Sequence, residues 1–155
     1  MQAKNLTNDY WMQKAIIQAK IANEKGEVPV GAVLTDGFKI ISSGYNQTIS
    51  KCDPTAHAEI ITIRQAAINF KNYRLERNLN LYVTLEPCAM CYGAIVQARI
   101  SNIFFGAFDK KTGCCGSCID LTKSSCFNHK PISFGGILEK DCSKLLKTFF
   151  KNKRN

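Results

Sequence analysis

At 155 residues and 45% hydrophobic composition, the chain has apolar material for one full core and no length for a second ordinary domain, so residues 1–155 are expected to form a single domain. A formal net charge of +9 and a pI near 9.2 point to a polyanionic partner in preference to a small neutral metabolite. No apolar run approaches the roughly 18 residues of a membrane span, and the polar stretch Met1 to Asn8 has no signal-peptide core, so a cytoplasmic protein with no membrane partner is expected.

The first predicted element is a helix from about Asp9 to Asn23, with Thr7 or Asn8 as its cap and Trp11, Ala15, Ile16, Ala19 and Ala22 as its apolar side. Two β-rich runs follow, Val30 to Leu34 and Lys39 to Ser43, and the Asp36-Gly37 pair between them signals a hairpin. Asp53-Pro54-Thr55 offers a helix start, and His57 to about Phe70 carries Ile60, Ile61, Ile63, Ala66 and Ala67. A strand from Leu79 to Leu85 delivers the chain to Pro87, which opens a second helix from Cys88 to Ala98. The apolar side of that helix around Tyr92 to Val96 suits either an interface or ordinary core. A strand from Asn102 to Ala107, a Gly-rich loop from Asp109 to Ser117 and a short strand from Ile132 to Phe134 lead to a terminal helix. There Lys140, Lys144, Lys147 and Lys151 recur at helical spacing opposite Leu138, Cys142, Leu145 and Phe149, a basic stripe on a packed helix. Strand-helix alternation after a hairpin predicts an α/β fold, a three-layer α/β/α sandwich with a mixed central sheet.

Two of these junctions hold a split metal-site pattern. His57-Ala58-Glu59 opens one helix, and Pro87-Cys88-Ala89-Met90-Cys91 opens the next. One imidazole and two thiolates are good zinc ligands, they balance the ion's charge, and they leave a fourth tetrahedral position for water, as a hydrolytic site requires. Glu59 is then free to move protons. Cys88 and Cys91, three apart, share one face of a first turn, and the partial positive charge of a helix N-terminus favours thiolate over thiol. Residues two apart in mid-helix point away from each other; at a helix end a metal beyond the terminus is within reach of both His57 and the longer Glu59. The competing possibility is a closed structural site with a fourth ligand from Cys52, Cys114, Cys115, Cys118 or Cys126, which leaves Glu59 without a purpose.

Eight cysteines without an export signal are not expected to form disulfides, and two of them, Cys88 and Cys91, belong to the metal pattern. Cys114, Cys115, Cys118 and Cys126 suit packing positions, free thiols or a second metal site. Cys52 and Cys142 read as core or near-core residues.

The two halves of the metal pattern resemble the cytidine deaminase superfamily, and within it the bacterial tRNA adenosine deaminases. Further stretches that carry the resemblance are Gly26 to Val33, Asp53 to Ile60, Leu81 to Cys88, Lys111-Thr112-Gly113 and Asn128-His129, so that it extends over nearly the whole chain. Cys114-Cys115 and Cys126-Phe127 depart from the family's commoner small or Gly-Met pairs. The resemblance implies a cytidine deaminase-like fold, one Zn2+ per chain on His57, Cys88 and Cys91, and Glu59 as proton shuttle. It implies that groups near Glu86, Pro87 and Cys88 fix the base, that Asn46 contacts the flipped nucleotide, and that Asp109, Lys111, Asn128 and the basic terminal helix grip RNA. Asn46 also suits a turn, and Asp109 and Asn128 suit loop caps. The implied activity is wobble adenosine to inosine in a tRNA anticodon arm, that of an arginine tRNA, by a homodimer. The alternatives are a deaminase of a free nucleobase or nucleoside, of guanine or cytosine type, and a zinc-stabilised RNA-binding protein without catalysis.

Overall fold

A computed structural model describes residues 6–75 and 78–154. Its elements follow the order α1 (Asn8–Glu24), β1 (Gly31–Thr35), β2 (Ile40–Tyr45), α2 (Ala58–Phe70), β3 (Asn80–Leu85), α3 (Ala89–Ala98), β4 (Asn102–Ala107), β5 (Ile132–Phe134) and α4 (Glu139–Arg154), with a 3-10 turn at Leu121–Lys123. The five strands form one sheet in the order β2-β1-β3-β4-β5. β1 runs antiparallel to β2 and β3, whereas β3, β4 and β5 are parallel, so the sheet is mixed as expected.

Alternation along the strands divides the core in two. Val33 of β1 pairs with Tyr82 of β3, which pairs with Phe104 of β4; this face packs on α1 and α4 through Trp11, Met12, Ala15, Ile16, Cys142 and Leu145. An aromatic line crosses it, with Tyr82 stacked on Phe104 at 4.6 Å and Phe104 on Phe134 at 5.0 Å between ring centres. The opposite face, with Leu34, Leu81, Val83, Ile103 and Phe105, packs on α2 and α3. The result is the predicted α/β/α sandwich. Tyr92 and Ile95 are fully buried in this second core, with Val96 nearly so, and the apolar side of α3 is therefore core.

The predicted elements form with small shifts. Thr7 is the cap of α1, accepting from the Tyr10 N–H at 3.2 Å, and Asn8 instead accepts from the Tyr82 hydroxyl at 2.7 Å. The hairpin connection spans four residues, 36–39. Its turn is set by the Asp36 carboxylate, which accepts from the Phe38 and Lys39 N–H groups at 2.9 Å each. Gly31 lets α1 lie directly on β1, since a Cβ there would run into the Ala15 carbonyl and the Ala19 nitrogen. One cysteine contradicts the reading from sequence: Cys52 is exposed on a turn, with φ of 48°, and is not near the core. Cys142 is buried as expected. No helix of the described residues is long and apolar enough to cross a membrane.

Candidate metal centre and active site

The carboxyl ends of the parallel strands β3 and β4 lie side by side, with Leu85 opposite Ala107, and an open α/β sheet presents its crevice at this edge. Beyond β3 the chain passes through Glu86 and Pro87 to Cys88, the N-cap of α3. His57 is the N-cap of α2. Both caps have extended backbone, and neither side chain caps its own helix, which leaves imidazole and thiol free to turn toward each other.

His57 Nδ1 stands 3.7 Å from Cys88 Sγ and 3.5 Å from Cys91 Sγ. A tetrahedral zinc ion with nitrogen at about 2.0 Å and sulfur at about 2.3 Å separates such ligands by about 3.6 Å, so the donor set fits the ion without rearrangement. All three ligand atoms lie within 4.8 Å of one another, and among the described residues no fourth histidine, cysteine, aspartate or glutamate joins them. The closed structural site is thereby set aside, as is a second metal site at Cys114, Cys115, Cys118 and Cys126. The cluster can hold a single Zn2+ ion.

Within this donor set the thiols share charge unequally. Cys91 donates to Cys88, and that bond, opposed by burial and helped by His57, brings Cys88 down to about 4. Cys91 is pushed up by the same bond and by burial. The hydrogen bond to Cys88 raises His57, with burial opposing it. Glu59 is 4% exposed, and burial raises its carboxyl above the usual range, against a hydrogen bond from Cys91. A carboxyl so displaced holds and releases a proton nearer neutrality.

A cavity of about 230 Å³ opens over this group, lined by His57, Glu59 and Cys88 together with Asn46, Glu86 and Asp109. Cys91 is fully buried behind it. Asn46 is 7% exposed, and its backbone N–H donates to the Val30 carbonyl at 3.0 Å. The Asp109 carboxylate caps its own loop, accepting from Lys111 N at 3.0 Å, Thr112 N at 3.1 Å and Thr112 Oγ1 at 2.8 Å. Pro87 is buried, and its carbonyl accepts from the Cys114 N–H at 2.9 Å. Lys111 lies outside the cavity, in a cleft of about 620 Å³ with Lys147, Phe150, Lys151 and Arg154 of α4. Asn128 is exposed and does not line the cavity. The stripe on α4 is divided, since Lys144 borders another groove, toward α1.

Reading the sequence missed Val28, Val30, Thr48, Leu85 and Thr112, which complete the cavity wall. The apolar members are indistinguishable from core in a linear pattern. It also missed Glu27, whose buried carboxylate accepts from the Ile49 and Ser50 N–H groups and holds the loop that carries Thr48.

An α/β/α sheet with an open His-Cys-Cys site and a buried glutamate beside it defines a zinc-dependent deaminase, and a model of the cytidine and deoxycytidylate deaminase zinc-binding region matches residues 6–107. The tRNA-specific adenosine deaminase of Haemophilus influenzae is 49% identical over 144 residues, covering 92% of this chain and 83% of that protein. A chain solved in studies of A-to-I editing by tRNA:A34 deaminases at the wobble position of transfer RNA superposes with a TM-score of 0.85 at 39% identity, covering 88% of this chain and 99% of that one. Guanine deaminase from Bacillus subtilis reaches a TM-score of 0.62 at 35% identity over 66% of each chain. The chain belongs to the bacterial tRNA-specific adenosine deaminases.

Proposed function

We propose that this protein converts adenosine to inosine at the wobble position of a tRNA anticodon, with an arginine tRNA as substrate, and that it works as a cytoplasmic homodimer. The observation that carries the activity is the open His57-Cys88-Cys91 donor set with buried Glu59 at the floor of one cavity. The basic cleft of Lys111, Lys147, Lys151 and Arg154 supports an RNA substrate, and its exposed Phe150 offers a stacking face among the cations. The tRNA identity and the dimer rest on the family.

His57, Cys88 and Cys91 would hold the zinc ion, which would supply Lewis acidity that makes water a readier nucleophile near neutral pH. Glu59 takes a proton from the attacking water, delivers it to a purine ring nitrogen, and assists departure of the exocyclic amine. Water adds at the amino-bearing carbon and the C–N bond breaks, so adenosine and water give inosine and ammonia. Asn46 and backbone groups from Glu86 to Cys88 orient the base, while Asp109, Lys111 and Asn128 meet the surrounding loop. An anticodon loop is already single-stranded, which lowers the cost of splaying the target base into the cavity.

Purified zinc-loaded protein is tested on an arginine-tRNA anticodon stem-loop, with free adenosine, guanine and cytosine in parallel. Inosine in the RNA alone is expected. Ammonia from a free base with no RNA product refutes the proposal, and no ammonia from any substrate points to RNA binding without catalysis.

A further inference from the structure

We propose that the Glu86 carboxylate is a positioning group for RNA, holding the 109–117 loop in the shape that receives the substrate; this rests on the reading of the protein as an anticodon-loop deaminase. Glu86 is 2% exposed, and its backbone N–H donates to the Ala107 carbonyl at 2.9 Å, which anchors the residue in the sheet. Its side chain turns to the loop. Oε1 accepts from the Asp109 N–H at 3.2 Å and from the Ser117 hydroxyl. Oε2 accepts from the Cys115 N–H at 3.0 Å and the Ser117 N–H at 3.2 Å. One buried anion thus gathers both ends of a loop through four donors, with no cation paired to it among the described residues.

The loop is shaped around this carboxylate. A Cβ on Gly113 would lie 2.5 Å from the Glu86 carboxyl carbon and Oε2, so only glycine passes between the two. Asp109, at one tethered end, and Thr112, between the ends, lie on the cavity wall, and Lys111 lies in the basic cleft. The clamp therefore joins the site of chemistry to the basic surface. Loosening it should move both contacts together, while the Cys114 N–H bond to the Pro87 carbonyl still ties the loop beside Cys88.

The substitution Glu86→Gln separates positioning from ordinary loop support. With the amide nitrogen at Oε2 the Cys115 and Ser117 N–H bonds are lost, and with it at Oε1 the Asp109 N–H bond is lost while the Ser117 hydroxyl can turn to accept, so at least one of the four goes in either orientation. Hydrogen bonds to a charged group contribute about 1.5–3 kcal/mol each, so a rise of at least roughly tenfold in KM is expected for zinc-loaded enzyme on the anticodon stem-loop. Zinc content should remain near that of the wild type, the rise in KM should exceed any fall in kcat, and amide exchange should accelerate at Asp109, Cys115 and Ser117. Ser117→Ala removes the hydroxyl donor alone and should raise KM by a smaller factor in the same direction, which keeps the test decisive where Glu86→Gln does not fold. Faster exchange with unchanged KM overturns the proposal, as does loss confined to kcat or zinc. Unaltered exchange in Glu86→Gln overturns the clamp itself. A wild-type enzyme inert on RNA fails the functional reading, and the exchange data still judge the clamp separately.

Discussion

The cleft shared by Lys111, Lys147 and Lys151 makes a quantitative claim about salt. All three side chains line one surface of about 620 Å³ with Arg154 and Phe150, so an anticodon arm seated there has three of its phosphates neutralised by them. Each neutralised phosphate contributes about 0.7 to the slope of log K against log salt for single-stranded nucleic acid, so replacing the three lysines by glutamine should flatten the slope by about 2.1. Between about 50 and about 200 mM salt the wild-type surface should therefore lose about 18-fold more affinity than the triple variant. The assay is fluorescence anisotropy of a labelled anticodon stem-loop with zinc-loaded protein, both forms carrying Glu59→Gln so that no substrate is consumed. Parallel slopes would refute the reasoning and return these lysines to solvent.

Three further outcomes follow from the geometry. Glu59→Gln should keep its zinc and lose about 10³-fold in kcat, within the range of a lost general acid–base group; a zinc-loaded variant with wild-type turnover removes Glu59 from its role. Brief alkylation of native zinc-loaded protein followed by peptide mass spectrometry should label exposed Cys52, Cys118 and Cys126 and spare buried Cys114 and Cys142. Burial also pushes the Cys115 and Cys142 thiols up to about 12, so little thiolate is present to react; early labelling of Cys142 refutes this. Gly31→Ala forces a methyl against the backbone of α1 and should cost about 2 kcal/mol, lowering the melting temperature by about 4–8 °C in calorimetry. An unchanged melting temperature would show that α1 does not approach β1 so closely.

The His57, Cys88 and Cys91 cluster was legible because the chemistry of a zinc donor set fixes residue type and spacing together. His57 and Glu59 had to sit at a helix start, and Cys88 and Cys91 on one face of another. The alternation of Val33, Leu34, Leu81, Tyr82 and Val83 likewise wrote the sheet into the chain. What stayed hidden depends on tertiary approach. Glu27 reads as an ordinary acidic residue until its burial and loop donors are seen, and Glu86, placed near the base by the resemblance, shows its hold on the 109–117 loop only in the structure. Cys52 read as core or near-core because cysteine commonly is, yet the turn at 48–52 places it in solvent. Lys144 and Lys147 share a helical stripe, and only the packing of α1 and the 109–117 loop sends them to different grooves.

The site also departs from what helix stability alone would select. α1 begins with Thr7, whose hydroxyl caps the helix, whereas α2 and α3 begin with His57 and Cys88, which provide no side-chain cap. An N-cap hydrogen bond is typically worth about 1 kcal/mol, so about 2 kcal/mol of local helix stability is forgone. What replaces it is electrostatic: the positive end of α3 lies at Cys88 and Cys91, where charge on sulfur is needed. Glu59, in the first turn of α2, is subject to the same helix-end attraction for its carboxylate, yet its burial is the larger influence and raises its pKa. Two helix starts of the same design thus have opposite outcomes, a thiolate at Cys88 at one and a readily protonated carboxyl at Glu59 at the other, and the proposed hydrolytic deamination uses both.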